Sequence, residues 1–423
     1  MTSRRIFLKS GAMAMVALGF APSFLARTAA AAGTRKKLLI AVFQRGAVDG
    51  LNMVVPYGEA DYYRARPSIA IAKPGAADGA VDLNGFFGLH PRMSALKPLW
   101  DQGHLAIVHA CGSHDTTRSH FDAQDYMESA TPGVKSTRDG WLNRYLAASA
   151  HHEPQGDPSS SRDAKASNPL RAVALTPRMP RSLAGAAPAV AMGRAAEFAV
   201  ADMGARTSFE ELYAAAKDPS LHGTAGEAFD AMRTLAKKTA GAYQPANGAA
   251  YPRSPFGQAL QEIARLAKSD VGLEIAFAES SQWDHHANEG GAAGQLANRL
   301  DDFSRGLAAL AQDLGDRMAD TVILTMSEFG RAVAQNGSGG TDHGHGNVMF
   351  VAGGNVNGGK VYGDWPGLAK DKLYGTGDLA VTSDFRDILG EIVQKRLGNP
   401  ASLGQVFPDY TQWNMRGIVA ARA

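Results

Sequence analysis

Four short, uninterrupted apolar runs, each closed by turn residues, constrain this chain more than any other feature. The first, Lys37-Leu38-Leu39-Ile40-Ala41-Val42-Phe43, leads into Gln44-Arg45-Gly46-Ala47-Val48-Asp49-Gly50. The same pattern returns at Leu105-Ala106-Ile107-Val108-His109, at Thr321-Val322-Ile323-Leu324-Thr325-Met326 and at Val348-Met349-Phe350-Val351. A strand with one wet face alternates polar and apolar residues, whereas a continuous run of this length is buried on both faces, as in a parallel sheet covered by helices. Between the runs the apolar spacing becomes helical, over 121–129, 256–267, 296–314 and 384–397. The expected fold is therefore α/β: a doubly wound, mostly parallel sheet with helices on both faces. Glu274-Ile275-Ala276-Phe277-Ala278 and Leu170-Arg171-Ala172-Val173-Ala174-Leu175 read as two further strands. From about 150 to 254 the text changes to His151-His152-Glu153-Pro154, a serine tract, alanine-rich stretches and Tyr251-Pro252-Arg253-Ser254-Pro255. This stretch reads as a partly helical insertion or cap on the α/β core.

The first 32 residues read as an address rather than as structure. Ser3-Arg4-Arg5-Ile6-Phe7-Leu8-Lys9 precedes a mildly apolar stretch from Ala12 to Leu25 and small residues at Ala29 to Ala32. A charged start, an apolar stretch too short for a stable span and a small-residue end describe a cleavable export signal. The paired arginines resemble the twin-arginine (Tat) signal, whose translocase carries proteins already folded. The expected mature domain is 33–423, periplasmic or secreted, with no stable membrane span.

Charge and cysteine usage exclude other classes. The chain has 43 Lys and Arg against 41 Asp and Glu, and four of the basic residues (Arg4, Arg5, Lys9, Arg27) lie in the acid-free signal. The nearly neutral body lacks the basic excess that neutralising a phosphate backbone requires, so nucleic acid is not an expected partner. With Cys111 as the sole cysteine, neither an intrachain disulfide nor a cysteine-rich zinc site can form.

In doubly wound sheets ligands gather outside the carboxyl ends of the strands. Reading just past each expected strand collects seven of the twelve histidines: His109, His114, His120, His285, His286, His343 and His345. Asp49 follows the first run in a glycine-flanked loop, where turn chemistry is the plain alternative. Arg118-Ser119-His120 opens an expected helix. Ser119 there is either an N-cap with Asp122 three residues on, or a nucleophile or anion ligand at a helix start, with Arg118 as an anion clamp. Asp284-His285-His286 offers one carboxylate and two imidazoles, a donor set suited to Zn, Mn or Fe. Ser327-Glu328-Phe329-Gly330-Arg331 and a glycine-rich loop lead to Asp342-His343-Gly344-His345, the sharpest local signal. The candidate metal ligands are Asp49, Asp284, His286, Glu328, Asp342, His343 and His345, and the candidate catalytic residues are Ser119, Arg118 and His120.

At Asp49-Gly50-Leu51-Asn52 with Val55-Pro56-Tyr57, Arg118-Ser119-His120-Phe121-Asp122-Ala123-Gln124-Asp125, Asp284-His285-His286, Ser327-Glu328-Phe329-Gly330-Arg331 and Gly340-Thr341-Asp342-His343-Gly344, the chain resembles the Tat-exported domain-of-unknown-function 1501 family. That family is placed in the alkaline-phosphatase-like superfamily, beside sulfatases and cofactor-independent phosphoglycerate mutases. The resemblance implies an alkaline-phosphatase-like fold and a two-metal site. Asp49 would be a ligand, Ser119 the nucleophile, and Asp284 with His286 further ligands. The pattern departs from the superfamily in two places: the histidines follow Asp284 at +1 and +2 rather than +4, and Glu328-Phe329 replaces a carboxylate–imidazole pair. Either Asp342, His343 and His345 supply the missing ligands, or the second metal site is weak or absent.

The expected function is an exported metal-dependent hydrolase of a phosphate, sulfate or related ester on a small molecule or polymer, using one or two divalent ions. The alternatives are a non-catalytic periplasmic binding or assembly factor that keeps the fold, and a redox enzyme using Fe or Cu.

Overall fold

The structure is a computed structural model that describes residues 37–150, 168–193, 234–397 and 403–420. The expected export signal and residues 151–167 and 194–233 of the expected insertion lie outside the described residues. The first apolar run forms β1 (Leu38–Arg45), followed by a small antiparallel sheet of β2 (Val54–Val55), β3 (Val81–Asp82) and β4 (Gly88–Leu89). Then come β5 (Leu105–Gly112), β6 (Ala172–Ala174), β7 (Val190–Ala191), β8 (Ile275–Ser281) and β9 (Thr321–Ser327). A hairpin of β10 (Arg331–Gln335) and β11 (Thr341–His343) precedes β12 (Asn347–Gly353), β13 (Lys360–Tyr362) and β14 (Ser383–Asp384).

Nine of these strands make one sheet, in the order β13-β5-β12-β9-β1-β8-β6-β7, with β14 pairing with β5 beside this path. All run in one direction except β12, which is antiparallel to both of its neighbours, β5 and β9. β1 lies at the centre, pairing in parallel with β8 (Leu39 opposite Ile275) and β9 (Leu38 opposite Thr321). The period-two geometry of a strand sends its side chains alternately to two cores. Leu38, Ile40 and Val42 pack with the Pro255–Lys268 and Gln295–Leu314 helices, through Phe256, Leu260, Leu300 and Phe303. Leu39, Ala41 and Phe43 pack with the Trp141–Ala150 and Phe385–Glu391 helices, through Trp141, Leu142, Phe385 and Leu389. Every residue of β5, β9 and β12 is buried, which is why their sequences show no polar alternation.

β6 and β7 belong to the stretch expected to be an insertion, and they extend the sheet on its β8 side. The helical pattern over 384–397 becomes an α-helix over Phe385–Glu391 and a wider π turn over Ile392–Arg396. Among the described residues no helix is long and apolar enough to cross a membrane.

Candidate metal centre

Parallel pairing puts the carboxyl ends of β1, β8 and β9 side by side, and the loops leaving them carry the polar residues. Beyond β1, Gly46 adopts a positive φ of 114°, and a Cβ there would stand 2.8 Å from the Asp284 nitrogen. Only glycine lets the first loop lie so close against the segment leaving β8. At Gly340 in the β10–β11 loop a Cβ would meet the backbone of His285, His286 and Ala287 at 2.4–2.6 Å. The hairpin is thereby pressed onto the same segment. His120 arrives from the other side, as the first residue of the His120–Ser129 helix.

Three imidazoles and one carboxylate meet where these pieces converge. His343 Nε2 stands 3.0 Å from His120 Nε2 and 3.0 Å from His286 Nε2. Asp284 reaches His286 Nε2 at 3.0 Å, His120 Nε2 at 3.4 Å and His343 Nε2 at 3.5 Å. Each ring's other nitrogen faces an oxygen. His120 Nδ1 is 2.7 Å from Glu328 Oε1, His343 Nδ1 is 2.9 Å from the Arg118 carbonyl, and His286 Nδ1 is 3.4 Å from Asp342 Oδ1. A carbonyl or carboxylate oxygen accepts, so with a cation at the centre each Nδ1 would donate its proton to that oxygen and each ring would turn its Nε2 lone pair inward.

Lone pairs aimed at one another repel unless a proton or a cation lies between them. Two donors that each stand about 2.0–2.2 Å from one ion can be no more than about 4.4 Å apart, and every distance quoted above falls inside that limit. Imidazoles whose second nitrogen is held by an oxygen, gathered with a carboxylate, are the donor chemistry of a metal site. His120, Asp284 and His343 form a group that could hold a metal ion, and His286 Nε2 lies 3.0 Å from two of its members, Asp284 and His343.

Arg331, fully buried, ties the site to its scaffold. Its guanidinium donates to the carbonyls of Ala47 (2.7 Å), Gly46 (2.7 Å) and Thr341 (3.1 Å) and to Asp284 Oδ1 (2.5 Å). Partial burial pulls the Asp284 pKa upward, but Arg331, His286 and His120 together hold the carboxyl below its ordinary value. Glu328 is also buried, yet its hydrogen bonds with His120 and Gln124 keep it ionised below the usual range. The Glu328 hydrogen bond in turn raises the His120 pKa, while burial lowers that of His343.

The structure brings His120, Asp284, His286 and His343 together, with Glu328 and Asp342 one step behind as acceptors for His120 and His286. Glu328 is therefore not at the centre itself. Its Oε1 also accepts from the Gly46 N–H (2.8 Å) and from Gln124 Nε2 (2.9 Å). Asp49, expected as a ligand, is elsewhere: it is buried in a two-pronged ion pair with Arg66 and caps the Gly50–Met53 helix. His345, also expected as a ligand, stacks on Tyr374 at 4.3 Å between ring centroids, and burial lowers its pKa to about 4. The expected anion clamp, Arg118, spends its guanidinium on Asp378 (2.5 Å) and on the His343 carbonyl. Ser119 is the N-cap of the His120–Ser129 helix, its Oγ accepting from the Asp122 N–H at 3.4 Å.

Three participants carried no role in the sequence reading: Arg331, Gln124 and Arg66. Arg331 and Gln124 fall inside quoted motifs, but only the folded neighbours give them partners.

The fold and the site together define a mixed α/β protein with a mostly parallel central sheet and, at its carboxyl edge, a group of imidazoles and a carboxylate that could hold a metal ion. The chain belongs to the family described as protein of unknown function (DUF1501), whose family model spans residues 36–399. Among curated proteins none matches the chain.

Proposed function

We propose that this protein is an exported, metal-dependent hydrolase of a phosphate, sulfate or related ester, related to the alkaline-phosphatase-like superfamily. The observation that carries the reading is the inward convergence of the His120, His286 and His343 Nε2 atoms on Asp284, with Ser119 next to His120 in the sequence. A divalent ion of the Zn, Mn or Fe class, when held there, would polarise an ester oxygen and offset charge on the attacking group. Ser119 stands at the start of a ten-residue helix, where free backbone N–H groups and the helix dipole favour an anionic group. It is the candidate nucleophile. Arg118, spent on Asp378 and the His343 carbonyl, fixes the hairpin against this helix rather than reaching for substrate.

That commitment of Arg118 is also the observation favouring a second reading, a periplasmic binding or assembly factor that uses the same centre without turnover.

Ser119→Ala separates the two. Assayed on aryl phosphates and sulfates, the variant is expected to lose turnover at least about 100-fold, the scale of removing a catalytic group. Its metal content should be unchanged, and stability should drop by about 1 kcal/mol for the lost cap. Full turnover in the variant would remove Ser119 from the chemistry. An unaltered chain that binds metal yet hydrolyses none of these esters would favour the second reading.

A further inference from the structure

We infer that the centre takes a single transition-metal ion on four donors, His120, His286 and His343 through Nε2 and Asp284 through its carboxylate, and that Glu328 is a positioning residue for it. This rests on the metal-dependent reading only in that both use the same site.

Donor availability limits the count to one. Asp49 is closed by Arg66, whose Nη2 lies 3.0 Å from Oδ1 while Nη1 takes Oδ2, and both side chains are buried. His345 is covered by Tyr374. Glu328 Oε1 already accepts from Gly46, Gln124 and His120 and its Oε2 from the Ser327 hydroxyl (3.2 Å), and the exposed Asp342 faces only one imidazole, that of His286, which the first ion would use. Among the described residues no second group of three donors is close enough together to hold another ion.

His286 completes the set because its Nε2 is 3.0 Å from both Asp284 and His343. It is also the most open of the three rings, at 45% side-chain exposure against 23% for His120 and 20% for His343. The exposed side of the centre is thus the side of Asp284 and His286, the face a substrate group would approach. Glu328 acts through His120. Held by the Gly46 N–H and the Gln124 amide, whose Oε1 is in turn fixed by Arg45 at 2.9 Å, it would keep the His120 proton on Nδ1 and leave the Nε2 lone pair free for an ion.

Co(II) added to the metal-stripped full-length chain is the probe, read by its visible absorption and by elemental analysis. One equivalent per chain is expected. His286→Ala, a change at a half-exposed side chain, should lower Co(II) affinity more than any substitution behind the donors. Glu328→Gln, nearly the same shape, should weaken Co(II) about 10- to 100-fold and shift the absorption spectrum while the circular dichroism stays unchanged. Two equivalents per chain, or His286→Ala binding as tightly as the parent, would overturn the single-ion assignment. A Glu328→Gln spectrum identical to the parent's removes Glu328 from the positioning role. One tightly bound equivalent without ester turnover would leave this inference standing and sink only the hydrolase reading, whereas a folded chain that takes no Co(II) sinks both.

Discussion

At the scale of single residues the balance between burial and charge decides what each group does. Glu289 is fully buried, with Oε2 accepting from the Thr341 hydroxyl at 2.8 Å, and it lies against Asp49. Burial first, and the Asp49 charge second, push its pKa well above the ordinary carboxylate value; burial pulls Asp49 upward too, but Arg66, with Glu289 and Arg331, holds it below its ordinary value. A group whose folded pKa is raised stabilises the fold below its unfolded pKa and loses that contribution as pH rises through the folded one. The Glu289 contribution to the stability of the metal-free chain is therefore expected to shrink as pH climbs from about 4.5 until Glu289 is ionised. In Glu289→Gln this contribution is absent, so the variant's stability relative to the unaltered chain should rise with pH. Urea unfolding at pH 5, 7 and 9 checks it, and parallel profiles for the two chains would refute it. Residue types were legible in the sequence, since His120, Asp284, His286 and His343 all stood out by donor chemistry and position after a strand. Partners were not. Asp49 looked like a ligand because nothing local announces that Arg66, 17 positions on, folds back onto it through its bonds to the carbonyls of Ala332 and Val333.

At the scale of elements the long buried runs and the amphipathic helices were readable because their patterns extend over many residues. β1, β5, β8, β9 and β12 fall where continuous hydrophobicity put them, and the expected helix over 296–314 is observed as Gln295–Leu314. The β10–β11 hairpin, β13 and β14 were missed, being two to five residues long and held mainly by neighbours distant in the chain. That hairpin positions His343, and its seat depends on Gly340. In Gly340→Ala the new Cβ would need to occupy space now taken by the His285 carbonyl and the His286 backbone. The expected result is a chain whose main sheet survives but whose metal affinity falls, because His286 and His343 no longer share one point. Parallel measurement of thermal unfolding and Co(II) affinity tests this, and unchanged affinity would mean that the loop yields without disturbing the centre.

At the scale of the whole molecule the α/β class followed from the alternation of buried strands and helices, but the reversal of β12 did not. A continuous apolar run reads the same in both directions, and only the short connection after the β10–β11 hairpin dictates how it enters the sheet. The proposed export belongs to this scale too. Arg4→Lys/Arg5→Lys should retain the chain in the cytoplasm, visible as loss of the periplasmic or secreted fraction on immunoblots, and undiminished export would sink the twin-arginine reading. The position of β1 adds a constraint of timing. Its partners β8 and β9 begin more than 230 positions later in the chain, which at roughly 5–20 residues per second is on the order of 10–50 s of synthesis. The middle of the sheet therefore cannot close while the ribosome is still making the first half, and with partners so distant in sequence folding is expected to be slow. A nascent β1 is thus an unpaired apolar strand waiting for its neighbours, and the newly made chain needs protection from aggregation until residues on both sides of 300 are available to cover it.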